Sequence, residues 1–328
     1  MVNMKYDAKR IIIVISGIFA FLIVFHVPGC SIFQDPVDAQ YSAVSEPTLS
    51  SFPSYINGMW LIDGQVWYMT MSSIAYCEDG RSIDFPTYKV CWSVKQEKFY
   101  YVRKRTLYSY DPISAQTIKL CKLDRDAHFI KAVTDNYAIV AEEQGTRVFQ
   151  VNLNTFEIQE ITVSFEFPLC SYNDRIVYYS YNGLYEYSCE QTKSVLLYEV
   201  DHAESRLVSA CYRDEDILFV RRWGDFKKHG ALYCYDRETN DVMTVELSYD
   251  VAAVCWMEDA LLCVGSVWNS ENYGNLYLYK VLPDSDSVEI LLDENLPYTA
   301  LVDVCNIVTD GQRFALSCRG DIIIDTLE

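Results

Sequence analysis

The fold is decided by the pattern of the stretch Asp174-Arg-Ile-Val-Tyr-Tyr-Ser-Tyr-Asn-Gly-Leu-Tyr-Glu-Tyr-Ser188. Apolar and polar residues alternate with period two on both sides of Asn182-Gly183, and an Asn-Gly pair tolerates the positive φ of a tight turn. We therefore predict two antiparallel strands that are joined at this pair. A single hairpin is only marginally stable in water, so it must belong to a larger sheet.

Related hairpins recur along the chain. Their second strands align at residues 106–110, 147–151, 183–187, 231–235, 275–279 and 320–324, with a degenerate first copy at 74–77. Two further short strands, such as 194–200 and 206–212, separate successive hairpins. Four-stranded units of roughly 40 residues are typical of β-propellers. We predict an all-β fold, a β-propeller of seven four-stranded blades; six or eight blades stay open, because the first and last copies are the weakest.

The last repeat ends after its third strand. A propeller must close its ring to remove exposed strand edges. We therefore predict that a segment near 44–52 supplies the missing outer strand, before blade one begins at residue 56.

A sequence signature shared by several repeats consists of Asp-Gly, a run of aromatic or β-branched residues, a turn and then Leu-Tyr-x-Tyr-Asp. Thr106-Leu-Tyr-Ser-Tyr-Asp111 and Ala231-Leu-Tyr-Cys-Tyr-Asp236 carry its second half. The signature resembles the secreted β-propeller repeat proteins of bacteria, a broad group that includes TolB-like propellers. The resemblance covers nearly all of residues 57–328 and implies the fold. Because that group contains binding proteins, scaffolds and some enzymes, it implies no single activity.

The N-terminal sequence indicates an export signal. Lys5, Lys9 and Arg10 precede the uncharged run 11–25, which is short for a membrane span and ends at Pro28-Gly29. Val27-Pro28-Gly29-Cys30 resembles the lipobox of bacterial lipoproteins, which implies lipidation at Cys30. An uncleaved membrane anchor and ordinary secretion are the alternatives.

Three parts of the chain follow from these patterns. Residues 1–30 form the signal or anchor, residues 31–55 form a flexible tether that includes the closing strand, and residues 56–328 form the propeller. We expect the propeller to lie outside the cytoplasm, attached to the cell membrane through its N-terminus alone. The tether assignment depends on Pro36, Pro47 and Pro53 and on scattered serines.

The formal net charge of −19 disfavours nucleic acid and anionic lipid as ligands, because both repel an acidic protein. The twelve cysteines and four histidines form no Cys-x-x-Cys or zinc-type cluster, so we predict no metal site and no cofactor. Five cysteines, together with Ala132 in a sixth blade, are predicted to share one small, buried position of the innermost strand: Cys91, Cys170, Cys211, Cys255 and Cys305.

Two hairpin loops in adjacent blades are predicted to be longer than the rest and to emerge on one propeller face. They carry aromatic rings and the densest cationic cluster of the chain. Arginine forks bind carboxylates and phosphates, and exposed aromatic rings provide stacking faces. We therefore predict a binding patch there, and a solvated loop without function is the simpler alternative. The predicted patch consists of Arg221, Arg222, Trp223, Lys227, Lys228, Trp268 and Tyr273.

Together these features favour a membrane-tethered, monomeric binding or scaffold propeller with a protein or glycan partner at the cell envelope. Gly-x-Ser-x-Gly is absent, and no nucleophile signature accompanies the histidines. The alternative is a glycan-active enzyme that uses a pair of carboxylates near the propeller axis. A third possibility is a purely structural role in an envelope assembly.

Overall fold

The computed structural model describes residues 48–51, 56–70, 73–123, 128–142, 147–163, 165–180, 182–200, 205–223, 230–245, 250–257, 260–268, 274–281, 288–294, 306–318 and 321–327. The predicted signal segment, including Cys30, lies outside these residues. In the described part of the chain all regular structure is β-strand, and no helix there is long and apolar enough to cross a membrane.

Strand β1 (Thr48–Ser51) precedes blade one, which consists of β2 (Ile56–Ile62), β3 (Gln65–Thr70), β4 (Ile74–Cys77) and β5 (Ser82–Asp84). Blade two consists of β6 (Val90–Ser93), β7 (Lys98–Arg103), β8 (Thr106–Asp111) and β9 (Gln116–Lys122). Blade three consists of β10 (His128–Val133), β11 (Tyr137–Glu142), β12 (Val148–Asn152) and β13 (Ile158–Ile161). Blade four consists of β14 (Phe167–Tyr172), β15 (Arg175–Ser180), β16 (Gly183–Ser188) and β17 (Lys193–Glu199).

Blade five consists of β18 (Ser205–Arg213), β19 (Asp216–Trp223), β20 (Gly230–Asp236) and β21 (Asp241–Val245). Blade six consists of β22 (Asp250–Met257), β23 (Ala260–Trp268), β24 (Gly274–Val281) and β25 (Val288–Glu294). Blade seven consists of β26 (Asn306–Thr309), β27 (Arg313–Cys318) and β28 (Asp321–Thr326), with β1 as its fourth strand. All pairings are antiparallel, so the prediction of seven four-stranded blades is confirmed.

The core is divided into seven apolar clusters, one between each pair of neighbouring blades. Strand β15 shows how both faces of a blade are buried. Ile176 and Tyr178 pack towards blade three, while Val177 and Tyr179 pack towards blade five. Because successive side chains of a strand point to opposite faces, an uninterrupted apolar run is what a blade between two neighbours requires.

The turn of the decisive hairpin differs from the prediction. Ser180 pairs with Gly183, so Gly183 already belongs to strand β16. A Cβ atom on Gly183 would lie 2.4 Å from the carbonyl oxygen of Tyr198. Glycine is therefore required by the close approach of strand β17, and not by a positive φ at this residue.

Strand β1 closes the ring by pairing with β28, from Thr48 opposite Ile324 to Ser51 opposite Asp321. The two chain ends thus share blade seven. A charged contact reinforces the junction between the last and first blades: Arg313 donates to both carboxylate oxygens of Glu78, at 2.8 and 2.7 Å, and to the carbonyl oxygen of Gly64 at 2.6 Å.

Removal of strand β1 should open the ring. A chain that begins at residue 53 loses the β1–β28 pairing, and we expect its free energy of unfolding to fall by about 3 kcal/mol, since each backbone hydrogen bond contributes about 1 kcal/mol. Its melting temperature should fall by several degrees. A chain that begins at residue 40 keeps β1 and is the control; equal melting temperatures of the two chains in a calorimetric scan would contradict this account of closure.

Candidate functional site

Each blade connects its strands at two opposite ends of the ring. We call the end that carries the links between second and third strands, and between successive blades, the loop face; the other end is the turn face. The second strands of blades five and six, β19 and β23, have 8 and 9 residues, against 6 in the other blades. These two neighbouring hairpins therefore reach further along the loop face.

The predicted loop lengths need one correction. The links 224–229 and 269–273 of blades five and six have six and five residues, and the link 143–147 of blade three has five as well. Loop length alone therefore does not single out blades five and six. The combination of longer strands and longer links does, because the strands of blade three have ordinary lengths.

The predicted patch residues occupy the ends of these hairpins. Arg221, Arg222 and Trp223 are the last three residues of β19, and Trp268 is the last residue of β23. Lys227, Lys228 and Tyr273 lie outside the described residues. Of the whole patch, the structure describes only the side chain of Arg221.

The end of the blade-five hairpin next to its link is packed against blade six. A Cβ atom on Gly230, the first residue of β20, would lie 1.9 Å from the carbonyl oxygen of Val251 in the innermost strand of blade six. No other amino acid fits there without a shift of backbone. This contact fixes the start of β20 against the innermost strand of blade six, so the blade-five hairpin rises from a rigid part of the scaffold.

Arg221 rests on an aromatic platform between blades four and five. Its guanidinium donates a hydrogen bond of 2.8 Å to the hydroxyl oxygen of Tyr198. The ring centroids of Tyr198 and Tyr233 are 5.7 Å apart, and Phe219 stacks on Tyr233 at 5.4 Å with an interplanar angle of 15°. Burial and the neighbouring Tyr198 raise the pKa of Tyr233, although Arg221 opposes this shift. Arg221 thus has a structural role, in addition to any part in binding.

The described innermost strands offer little for carboxylate chemistry at the propeller axis. The seven innermost strands, as far as the structure describes them, contain one carboxylate, Asp250 at the start of β22. Among the described residues no group of three His, Cys, Asp or Glu side chains is arranged to hold a metal ion. A pair of acidic residues for glycoside chemistry is therefore not provided by these strands.

Cysteines occupy four of the seven equivalent positions near the propeller axis, largely as the sequence predicted. Strand register places Trp60, Cys91, Ala132, Cys170, Cys211, Cys255 and Val308 at equivalent sites in blades one to seven. The assignment of Cys305 was therefore wrong by three residues: Val308 holds the place in blade seven, and Cys305 lies outside the described residues. The nine described cysteines form no disulfide.

The axial thiols have a suppressed acidity. Burial raises the pKa of Cys91 to about 12 and that of Cys255 to about 11. Burial also raises the pKa of Cys211, and the neighbouring Cys255 and Cys170 add to the shift. A thiolate is the reactive form of cysteine, so these groups are suited to packing and not to nucleophilic chemistry.

On the turn face, acidic side chains form ion pairs between blades. The buried Glu186 of blade four accepts hydrogen bonds from the hydroxyl of Tyr212, at 2.8 Å, and from both terminal nitrogens of Arg237, at 3.0 and 2.6 Å. Arg175 of blade four pairs with Glu215 of blade five. These carboxylates are engaged by the fold, and the cationic partners hold neighbouring blades together.

Sequence reasoning missed a second cationic group on the loop face, between blades two and three. Lys89 lies just before β6 and Lys131 is the extra residue at a bulge of β10, and both approach the ring of Phe129. The only available signal was a lysine inside the otherwise apolar run Phe129-Ile-Lys-Ala-Val133, which did not indicate a neighbour 42 positions away in the chain.

Ring closure, four strands in each blade and seven apolar clusters between blades define a seven-bladed β-propeller. No family model matches the sequence, and no curated protein matches it either. The fold is similar to that of tricorn protease, with a TM-score of 0.57 and 13% identity over 90% of this chain and 34% of that chain.

Two further solved structures show the same fold. The extracellular domain of BT4673 from B. thetaiotaomicron is similar with a TM-score of 0.56 and 13% identity, over 83% of this chain and 38% of that one. Oligogalacturonate lyase in complex with manganese gives a TM-score of 0.54 and 10% identity, over 86% of this chain and 99% of that chain. The chain spans about a third of the tricorn protease chain, and these identities establish the fold alone.

Replacement of Tyr198 by Phe tests the platform. The substitution removes the hydroxyl that accepts the hydrogen bond from Arg221 and keeps the ring contacts. We expect the free energy of unfolding to fall by about 1 kcal/mol, because the bond involves a charged donor but is partly exposed to water. Tyr172→Phe is the control, since its hydroxyl makes no hydrogen bond among the described residues. An equal loss in both variants, measured by denaturant unfolding, would argue against the platform.

The axial cysteines should react slowly in the folded protein. At pH 8 a thiol with a pKa of about 11 is ionised in roughly one molecule in a thousand, against roughly one in four for an ordinary cysteine. We expect slow labelling by a thiol reagent under native conditions and at least nine reactive thiols in denaturant without reductant. A lower count that rises when reductant is added would reveal disulfides.

Proposed function

We propose that this chain is a membrane-tethered, extracytoplasmic β-propeller that binds a protein or glycan partner through the loop face of blades five and six. The observation that carries the proposal is the pair of extended hairpins β19–β20 and β23–β24. They stand on adjacent blades and carry the densest cationic and aromatic sequence of an acidic chain. The proposed ligand is anionic, since arginine and lysine recognise carboxylates and phosphates.

The tether and the lipid are part of the proposal. Lipidation of Cys30 would anchor the chain, and the segment before β1 would lift the ring off the membrane surface. The proposal has its own measurement: the mass of the mature N-terminus after isolation of the protein from the producing cell. A diacylated Cys30 supports the lipoprotein form, whereas an intact Met1 would replace it with an uncleaved anchor.

The enzymatic alternative has weaker support. It requires two carboxylates about 5–10 Å apart near the axis, and the described innermost strands contain Asp250 alone. The likeness to oligogalacturonate lyase concerns the fold, and the printed activity belongs to that protein. Release of reducing ends or unsaturated products from a glycan panel by the purified chain would restore this alternative.

Substitution of the hairpin tips is the test of partner binding. The variant Trp223→Ala, Lys227→Ala, Trp268→Ala removes two aromatic rings and one charge from the proposed patch. The matched control Ile118→Ala, Lys119→Ala, Ile158→Ala removes one charge and two large, exposed apolar side chains from the outer strands of blades two and three.

The full-length chain and both variants would be applied to a glycan array and to crosslinking with envelope proteins of the producing organism. We expect the patch variant to lose at least about tenfold in affinity, since a few central aromatic and charged residues dominate most interfaces, while the control keeps its affinity. Equal binding by all three folded proteins would move the site away from these hairpins.

A further inference from the structure

Two lysines of the loop face share one aromatic ring. The Nζ atom of Lys89 lies 3.4 Å from the ring centroid of Phe129, and that of Lys131 lies 5.0 Å from the same centroid. The two ammonium groups are therefore no more than about 8.4 Å apart, the sum of those distances. A cation–π contact stabilises each ammonium group, but it leaves most of the positive charge uncompensated.

These lysines differ from the arginines of the same protein. Six arginines form ion pairs with carboxylates: Arg81, Arg147, Arg175, Arg213, Arg237 and Arg313. Among the described residues neither Lys89 nor Lys131 has an ion pair. The polar contact of Lys131 is a hydrogen bond of 3.4 Å to the backbone carbonyl oxygen of Glu166.

The proximity of the two lysines has an electrostatic cost. Burial lowers the pKa of Lys131, the like charge of Lys89 lowers it further, and Glu166 opposes the shift. In a chain with 46 acidic and 27 basic residues, a pair of close cations without a carboxylate partner in the described structure is unexpected on charge balance alone. An anion between them would remove the repulsion and add two charge-assisted hydrogen bonds.

The surroundings favour an anion that is carried by a ring-shaped or otherwise flat molecule. The ring of Tyr88 is 43% exposed, and the Nζ atom of Lys89 lies 5.6 Å from its centroid. An exposed tyrosine beside a cation offers a stacking surface next to a charged hydrogen-bond donor. One carboxylate or phosphate group can accept hydrogen bonds of about 2.8 Å from two ammonium groups at once, and the upper bound of about 8.4 Å on their separation permits such an arrangement.

We propose that Lys89 and Lys131, which both approach Phe129, form a binding site for an oxyanion group of a small ligand at the junction of blades two and three. Its chemistry is that of a carboxylate or a phosphate, carried by an acidic sugar or supplied as the free anion. The site is separate from the patch on blades five and six, so it neither requires that patch nor supports it.

The experiment compares glucuronate with glucose, which lacks the carboxylate, and with inorganic phosphate, on the full-length chain in a neutral detergent. Ligand-observed NMR and calorimetry measure the affinities. We expect glucuronate to bind and glucose not to bind. Lys89→Gln and Lys131→Gln should each weaken binding at least about tenfold, since each removes one hydrogen bond from a charged donor.

Two controls and one further measurement accompany this experiment. Lys119→Gln changes the same charge on the exposed outer strand β9 and should leave the affinity unchanged. Lys89 lies in a loop, so its variant should keep the melting temperature of the native protein even if Lys131→Gln does not. Because an anion raises the pKa of Lys131, binding near pH 9.5 should take up protons, which calorimetry in two buffers detects; a merely structural lysine would not give this uptake.

Each outcome has one meaning. Binding of glucuronate that depends on both lysines supports the site with an acidic sugar as the source of the anion. Binding of phosphate alone, with the same dependence, supports the site with the free anion as the source. Three results would overturn the proposal: equal binding of glucuronate and glucose, unchanged affinities in both lysine variants, or no binding of either anion at about 10 mM. That concentration is ten times the Kd of about 1 mM that is expected for two such contacts.

Discussion

The structure depends on the pairing of β1 with β28. Each blade buries two apolar faces, and it can do so only if it has a neighbour on both sides. The cluster between blades seven and one contains Ile322 and Ile324 of β28 together with Tyr68 of blade one. Without β1 that blade would keep an open edge beside its apolar residues. The chain runs from β1 into β2 of blade one, so the pairing of β1 with β28 joins blade seven to blade one.

The distribution of charge within the ring also helps to hold neighbouring blades together. A protein with a net charge of −19 repels itself when it is compact. Three arginines reach across two junctions between blades: Arg175 against Glu215 and Arg237 against Glu186 join blades four and five, and Arg313 against Glu78 joins blades seven and one. Glu186 is buried and has three donors around its carboxylate, so removal of Arg237 would leave a buried charge with less compensation.

The sequence was sufficient for the fold because the evidence for it is local and repeated. Alternation with period two, a polar turn and a second alternating run recur seven times, and the predicted strands agree with the observed ones to within a few residues at each end. The errors arose where a residue has two possible reasons to be present. Gly183 was assigned to a turn, but it permits the approach of Tyr198. Cys305 was aligned by residue type, but register gives its place to Val308.

The candidate sites were less accessible to sequence reasoning, since they depend on contacts between distant blades. The hairpin patch could be proposed because its charges are contiguous in the chain. The structural role of Arg221 could not, because its acceptor, Tyr198, belongs to another blade. Lys89 and Lys131 are likewise single lysines in sequence, and only the packing of blade two on blade three brings them to one ring.

Both cationic groups lie on the loop face, whereas the described interblade ion pairs lie towards the turn face. This division has a physical basis. The turns between the first and second strands of successive blades approach one another around the axis, as Asp174 shows by accepting hydrogen bonds from the backbone and side chain of Asn136, at 2.9 and 2.7 Å. Polar groups there form hydrogen bonds and ion pairs between blades. On the loop face the hairpins of blades five and six have longer second strands than the other blades, and a rigid ring would hold the charges of the proposed sites in place without further ordering on binding.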